Sequence, residues 1–137
     1  MSPQVWLVIL LVGFAELLAM PLIIRVVVSR HWAPIPDMFP PTDPAPDAVT
    51  KGFQSFRAGV INLGFSIDAS VDDACLHVRP SKIGRVIGVR PASIPWESIT
   101  PVSQGRTTRT VKIAGVKLMG PKWCLEIADP PGSDPPT

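Results

Sequence analysis

Residues 5–24 read VWLVILLVGFAELLAMPLII, a 20-residue apolar run broken by one charge, Glu16. At about 1.5 Å of rise per residue, a helix over this run covers roughly 30 Å, the hydrocarbon thickness of a bilayer. The chain is therefore expected to be membrane-bound through one transmembrane helix over 5–28, with Val26-Val27-Val28 prolonging it after a short flank, 1–4. A cleaved secretory signal fits less well. Met1-Ser2-Pro3-Gln4 carries no Lys or Arg, the apolar core is too long, and Leu17-Leu18-Ala19 lacks a small residue at its first position. No Cys lies near the run to suggest lipoprotein processing.

Arg25, Arg30 and His31 follow the run, and only the α-amine precedes it. Cationic flanks stay on the cytoplasmic side, so the N-terminus is expected outside and the body of the chain in the cytoplasm. Within the helix, a mid-membrane carboxylate is costly and normally faces protein or water. Ala15 and Ala19 form a small-xxx-small pair beside Glu16, a surface on which a partner helix can pack closely. Ala15, Glu16 and Ala19 are thus candidate helix–helix contacts. The alternative is a plain anchor that tolerates one carboxylate.

Juxtamembrane residues and a Pro-rich stretch occupy 29–50. Six prolines and three aspartates fall within 33–50, APIPDMFPPTDPAPDAVT. Proline fixes φ and blocks helix and central strand, so an extended spacer is expected. In polyproline II form its 18 residues would reach about 55 Å and hold a domain off the membrane. Residues 129–137 are similar in composition and are expected to form a disordered tail.

Between these lies one small globular unit, 51–128. Short branched segments alternate with Gly and Pro and show no sustained helical period, which indicates β structure. The expected strands are 55–62, 65–70, 75–79, 93–95, 109–114 and 123–128, with 86–89 as a further short one; the turn signals are Gly64, Val71-Asp72-Asp73, Pro80-Ser81, Gly105 and Gly120-Pro121. The expected fold class is mainly β: a small antiparallel meander or a partly open barrel behind the transmembrane helix. Period-two alternation directs Leu76 and Val78 inward and Cys75, His77 and Arg79 outward. In the last segment it directs Trp123, Leu125 and Ile127 inward, with Cys124 and Glu126 outward. Trp96 and Ile99 would cap the core.

The segments Asp72-Asp73-x-x-Leu76-His77-Val78, Ser93-Ile94-Pro95-Trp96-Glu97-Ser98-Ile99 and Trp123-Cys124-Leu125-Glu126-Ile127 follow one membrane helix in this order. That arrangement resembles small bacterial single-pass membrane proteins with a PH/GRAM-like β domain, over roughly residues 53–127. The resemblance implies a PH-like, partly open barrel and a bacterial inner-membrane location, and transfers no binding residue. It departs from the pattern where a PH-type barrel is closed by a C-terminal helix, because Asp129-Pro130-Pro131 stands there instead.

Charge is unevenly distributed. Residues 51–128 hold 11 Lys/Arg against five Asp/Glu, a net of +6, and the remaining residues carry a net of −4. A basic domain tethered beside an anionic leaflet is attracted to it by about 1 kcal/mol per well-placed cation. Arg79, Lys82, Arg85 and Arg90 are the candidate membrane-surface contacts, on a segment whose Gly84 and Gly88 suggest an exposed hairpin. An ordinary solvated surface is the alternative. The expected partners are the bilayer, anionic headgroups or a membrane protein. Nucleic acid is not expected, because no stacking aromatics accompany the charge.

No catalytic residue, cofactor or metal is expected. Asp73, Cys75 and His77 share a strand face, and a thiolate–imidazole pair or a metal site with Cys124 can be drawn. However, i, i+2 side chains diverge, no third group is evident to orient His77, and paired C-x-x-C spacing is missing. Both cysteines should be free thiols in the cytoplasm, whereas the opposite orientation would let Cys75 and Cys124 pair across neighbouring strands. The function expected is a non-enzymatic, membrane-anchored interaction module; the alternative is a small accessory subunit held through its helix.

Overall fold

The computed structural model describes residues 2–128. A helix, α1 (Pro3–Trp32), runs unbroken through Pro21 and is followed by a one-turn helix, α2 (Pro34–Met38). Seven strands come next: β1 (Val49–Ala58), β2 (Ile61–Val71), β3 (Cys75–Pro80), β4 (Ala92–Pro95), β5 (Thr100–Gln104), β6 (Thr108–Ile113) and β7 (Val116–Pro121). A short helix, α3 (Lys82–Ile87), separates β3 from β4, and α4 (Lys122–Leu125) follows β7. The strands form one antiparallel sheet in the order β4-β3-β2-β1-β7-β6-β5, curled into a half-barrel. A mainly β domain behind a long apolar helix is thus the architecture, although helices account for 40% of it. α1 is long and apolar enough to cross a membrane, with a mean hydropathy of 2.6 in its most apolar window.

Bulges generate the curl. The β1–β2 ladder slips between Lys51 and Gln54 and again between Gln54 and Phe56. Phe53 and Phe65 lie in these slips with φ of 52° and 55°, backbone that non-glycine residues adopt at a cost. Side chains hold them there: Phe53 N–H donates to Asp68 Oδ1 (3.0 Å) and Phe65 N–H to Ser55 Oγ (3.1 Å). The bent β1 then pairs with β2 on one side and, through Arg57 and Ala58, with β7 on the other.

The inner face of the sheet carries Phe56, Leu63, Ile67, Leu76, Ile94, Ile113 and Leu118. One part of this core comes from outside the sheet. Val28, Trp32 and Ile35, from the end of α1 and from α2, are buried in the same cluster, and Trp32 Nε1 donates to the Arg90 carbonyl at 2.7 Å. Cys124 and Leu125 of α4 are buried in it as well.

The expected spacer is therefore not a free tether. Pro34 and Pro36 sit in the first turn of α2, where a missing N–H breaks no helical bond, and Asp37 suits that end of the helix dipole. The chain beyond α2 is strapped to the sheet. Ser93 N–H donates to the Phe39 carbonyl, Thr42 N–H to Ser93 Oγ, and Ala45 N–H to Asp72 Oδ2. The strap delivers β1 to the end of the sheet where Val49 pairs with Val71. That end is about 33 Å along β2 from Ile61, at ~3.3 Å per residue.

Other expectations also change. The turn falls at Gly59-Val60 rather than Gly64, because Gly59 takes positive φ and Gly64 is absorbed into the bulged β2. The segment 123–128 is helical, not a strand; Cys124 and Leu125 face inward and Ile127 is exposed. β5 and β7 were masked by Pro101, tolerated on an edge strand, and by Gly120, whose missing Cβ makes room for the Phe56 ring. The tail expected over 129–137 lies outside the described residues. Trp32→Ala is expected to lower the stability of the full chain in micelles by about 3–5 kcal/mol in urea titrations. Val8→Ala, on the exposed part of α1, should leave the titration unchanged.

Candidate functional site

The segment 81–88, expected as an exposed hairpin with 86–89 as a strand, is instead the capped helix α3. Ser81 Oγ accepts the Gly84 N–H at one end, and Gly88 closes the other with φ 91°. Its glycines allow close seating. A Cβ on Gly84 would lie 2.1 Å from the Ser66 carbonyl oxygen of β2, and one on Gly88 would meet Ser29 Oγ and Arg25 Cγ of α1. α3 is thus wedged between the sheet and the point where α1 emerges from its apolar run. Seated this way, it leaves Ile83 45% and Val86 67% exposed, with Lys82 and Arg85 exposed beside them.

Two apolar grooves meet at α3. One, of about 630 Å³, is lined by Gly13, Glu16, Leu17, Met20, Pro21 and Ile24 of α1 together with Val86 and Ile87. The other, about 420 Å³, lies between α1 (Ile23, Ile24, Val27), β2 (Ile61) and Ile83 of α3. Glu16 borders the first groove. Ala15 and Ala19 are not among its lining residues; at about 100° per residue Ala19 lies about 60° and Ala15 about 100° from Glu16, away from the groove. The three helix–helix candidates therefore share one arc of the helix, with Glu16 at its groove-side edge.

The four candidate surface cations divide as well. Lys82 and Arg85 are on α3, whereas Arg79 and Arg90 face the strap, with Arg79 3.8 Å from Asp43 and Arg90 3.0 Å from Asp37. Arg109, counted within the basic surplus, is buried and donates to the Gly105 and Thr108 carbonyls. A second cationic group was not singled out from the sequence. Lys112 and Lys117 pair across the β6–β7 hairpin and line a groove of about 400 Å³ with His31 at the end of α1. The signal was present in the spacing, since both lysines flank a two-residue turn, Ala114-Gly115, with φ of 51° and 79°.

At the far end of β2, the expected outward His77 is buried, 2% exposed, and carries a network. Its Nε2 lies 2.7 Å from Asp72 Oδ2 and its Nδ1 2.7 Å from Ser93 Oγ. The orienting groups are thus Asp72 and Ser93, not Asp73, and Cys75 stands beside them. Asp72 Oδ1 also accepts the Ala74 and Cys75 N–H groups, which makes it the cap of the β2–β3 turn. The Ser–His–Asp contacts latch the strap to this turn, because Ser93 Oγ is tied to both the N–H and the carbonyl of Thr42. Cys124 takes no part. It is buried on α4 rather than on a strand beside Cys75, and both cysteines are free.

Burial pushes the Cys124 thiol up to about 12, against a lowering influence from Lys51. The Cys75 thiol is raised by burial, then by the negative charges of Asp72 and Glu97. For Asp72, burial works to raise the carboxyl, but the bonds from Ala45, His77, Cys75 and Ala74 outweigh it and hold the group far below the usual carboxylate range. A lowered folded value means that the stabilisation is complete above the unfolded value of 3.8 and is lost progressively as pH falls from there to the much lower folded value. The stability difference between wild type and Asp72→Asn should therefore be largest near neutral pH and shrink below about pH 4 in urea titrations. No protein-family model, curated protein or solved structure matches the chain.

Proposed function

We propose that this protein is a non-enzymatic, single-pass membrane module whose β domain lies directly against an anionic membrane surface. The supporting observation is α3, seated beside the exit of α1 with Ile83 and Val86 exposed between Lys82 and Arg85. If the hydrocarbon ends near Ile24, Ile83 and Val86 meet the acyl boundary, and the two cations meet the headgroups. An element with an apolar face and a cationic rim is stable at that depth and costly in water. Arg25 and Arg30 support a cytoplasmic β domain, where the leaflet is anionic and each near-surface cation contributes about 1 kcal/mol. We read the antiparallel half-barrel as PH/GRAM-like, with the end of α1 contributing to closure, and the bacterial inner membrane as its location on the resemblance alone.

The depth of α3 is measurable on the full chain in nanodiscs. With Cys75 replaced by Ser, a fluorophore on Val86→Cys should be strongly quenched by a lipid-borne quencher, and one on Asp73→Cys, at the far end of β2, only weakly. Equal quenching at the two positions would overturn the reading. Anionic lipid should also raise the unfolding free energy by about 1–2 kcal/mol over zwitterionic lipid, and Lys82→Gln with Arg85→Gln should remove that increment.

The groove bordered by Glu16 favours a second reading, an accessory subunit held through α1. On that reading Glu16→Leu abolishes co-purification of a membrane partner, whose helix packs on Ala15 and Ala19 beside Glu16. Retention of every partner by Glu16→Leu would count against it.

A further inference from the structure

The latch at the β2–β3 turn has a chemistry that tying down a strap does not require. One ligand atom each from Asp72, Cys75 and His77 lies within 4.8 Å of the others. We propose that these three residues bind a divalent transition-metal cation, zinc in the first instance, with the fourth position left to water or to a donor from a partner. Thiolate, imidazole and carboxylate are the donors that zinc takes, and three protein ligands with one open position is a recurrent zinc geometry.

Charge supports the assignment. One thiolate and one carboxylate neutralise a dication, so the occupied site carries no net charge in a setting where Asp72 is 7% and His77 2% exposed. Binding displaces the Cys75 thiol proton, which leaves to water through the partly exposed Cys75 side.

The ligands are also held from behind. Asp72 Oδ1 is fixed by the Ala74 and Cys75 N–H groups, so Oδ2 is the oxygen turned toward His77. Ser93 Oγ accepts from Thr42 N–H and lies 3.2 Å from the Thr42 carbonyl, to which it donates. With its hydrogen so used, the hydroxyl still has room to accept from His77 Nδ1. In the metal-free protein His77 Nε2–H donates to Asp72 Oδ2 at 2.7 Å. A cation takes the place of that shared proton, the ring carrying its hydrogen on Nδ1 toward Ser93 Oγ instead, and separates Nε2 and Oδ2 to about 3.3 Å, the spacing set by bonds of ~2.0–2.1 Å in a tetrahedron. The hydroxyl behind His77 is the outer partner that metal-bound imidazoles generally have.

Cobalt(II) added to the full chain in micelles, after stripping with a chelator, tests the site. One equivalent should produce a sulfur-to-cobalt charge-transfer band in the near ultraviolet, and zinc should displace it. Cys75→Ser is a near-isosteric change at a partly exposed position; it should keep the far-ultraviolet circular dichroism and lose the band. Cys124→Ser should keep the band, and Ser93→Ala should weaken binding about 10–100-fold. No band in the wild type, or the same band in Cys75→Ser, overturns the site without touching the membrane reading, which involves the opposite end of the sheet.

Discussion

The indole of Trp32 inside the mouth of the half-barrel is the contact on which the rest depends. A curled open sheet has an apolar inner face that must be covered. Here the cover at one end is the last turn of the helix whose preceding turns are apolar and exposed. Burying Val28, Trp32 and Ile35 contributes about 1.5–3 kcal/mol each, a large share for a domain of this size. The long apolar helix and the β domain therefore form one folding unit. The same contact fixes where α3 sits, because Gly88 is packed on Arg25 and Ser29 of the same helix.

Electrostatics plays two unequal parts. The exposed pairs Arg90–Asp37 and Arg79–Asp43 lay an acidic strap on a basic domain, and solvent screens both, the Arg79–Asp43 pair most. The Asp72–His77–Ser93 network is nearly closed to solvent, so loss of one member leaves others unsatisfied. The strap is held by the second and only trimmed by the first. It also leaves Lys82 and Arg85, rather than all four candidate cations, pointing away from the strap.

The sequence disclosed those features that short-range patterns control. Residues 5–24 announced a long apolar helix, Leu76 and Val78 announced their strand face, and Val71-Asp72-Asp73 announced a turn. Features set by tertiary contact were not legible. Pro34 and Pro36 signal extension until a helix offers them its first turn, and Gly84 and Gly88 signal a hairpin until a neighbouring backbone requires the missing Cβ. Gly120-Pro121 reads as a turn because the Phe56 ring that occupies the space beside it comes from a strand more than sixty residues earlier. Cys75 and His77 were recognised as chemically interesting. Their organising partner, Ser93, enters from another strand, where spacing along β3 carries no information about it.

The absence of slack between α1 and the sheet has a rotational consequence. With Trp32 seated in the core, the helix cannot spin about its axis independently of the domain. The azimuth of every residue in the apolar run is therefore locked to the sheet: the face bearing Gly13, Leu17, Met20 and Ile24 stands always toward Val86, with Glu16 at its edge. Each residue is worth about 100° of rotation, so even a one-residue slip between Arg25 and Val28 would turn a different side of the apolar helix toward Val86. An angular change felt by one part is necessarily transmitted to the other.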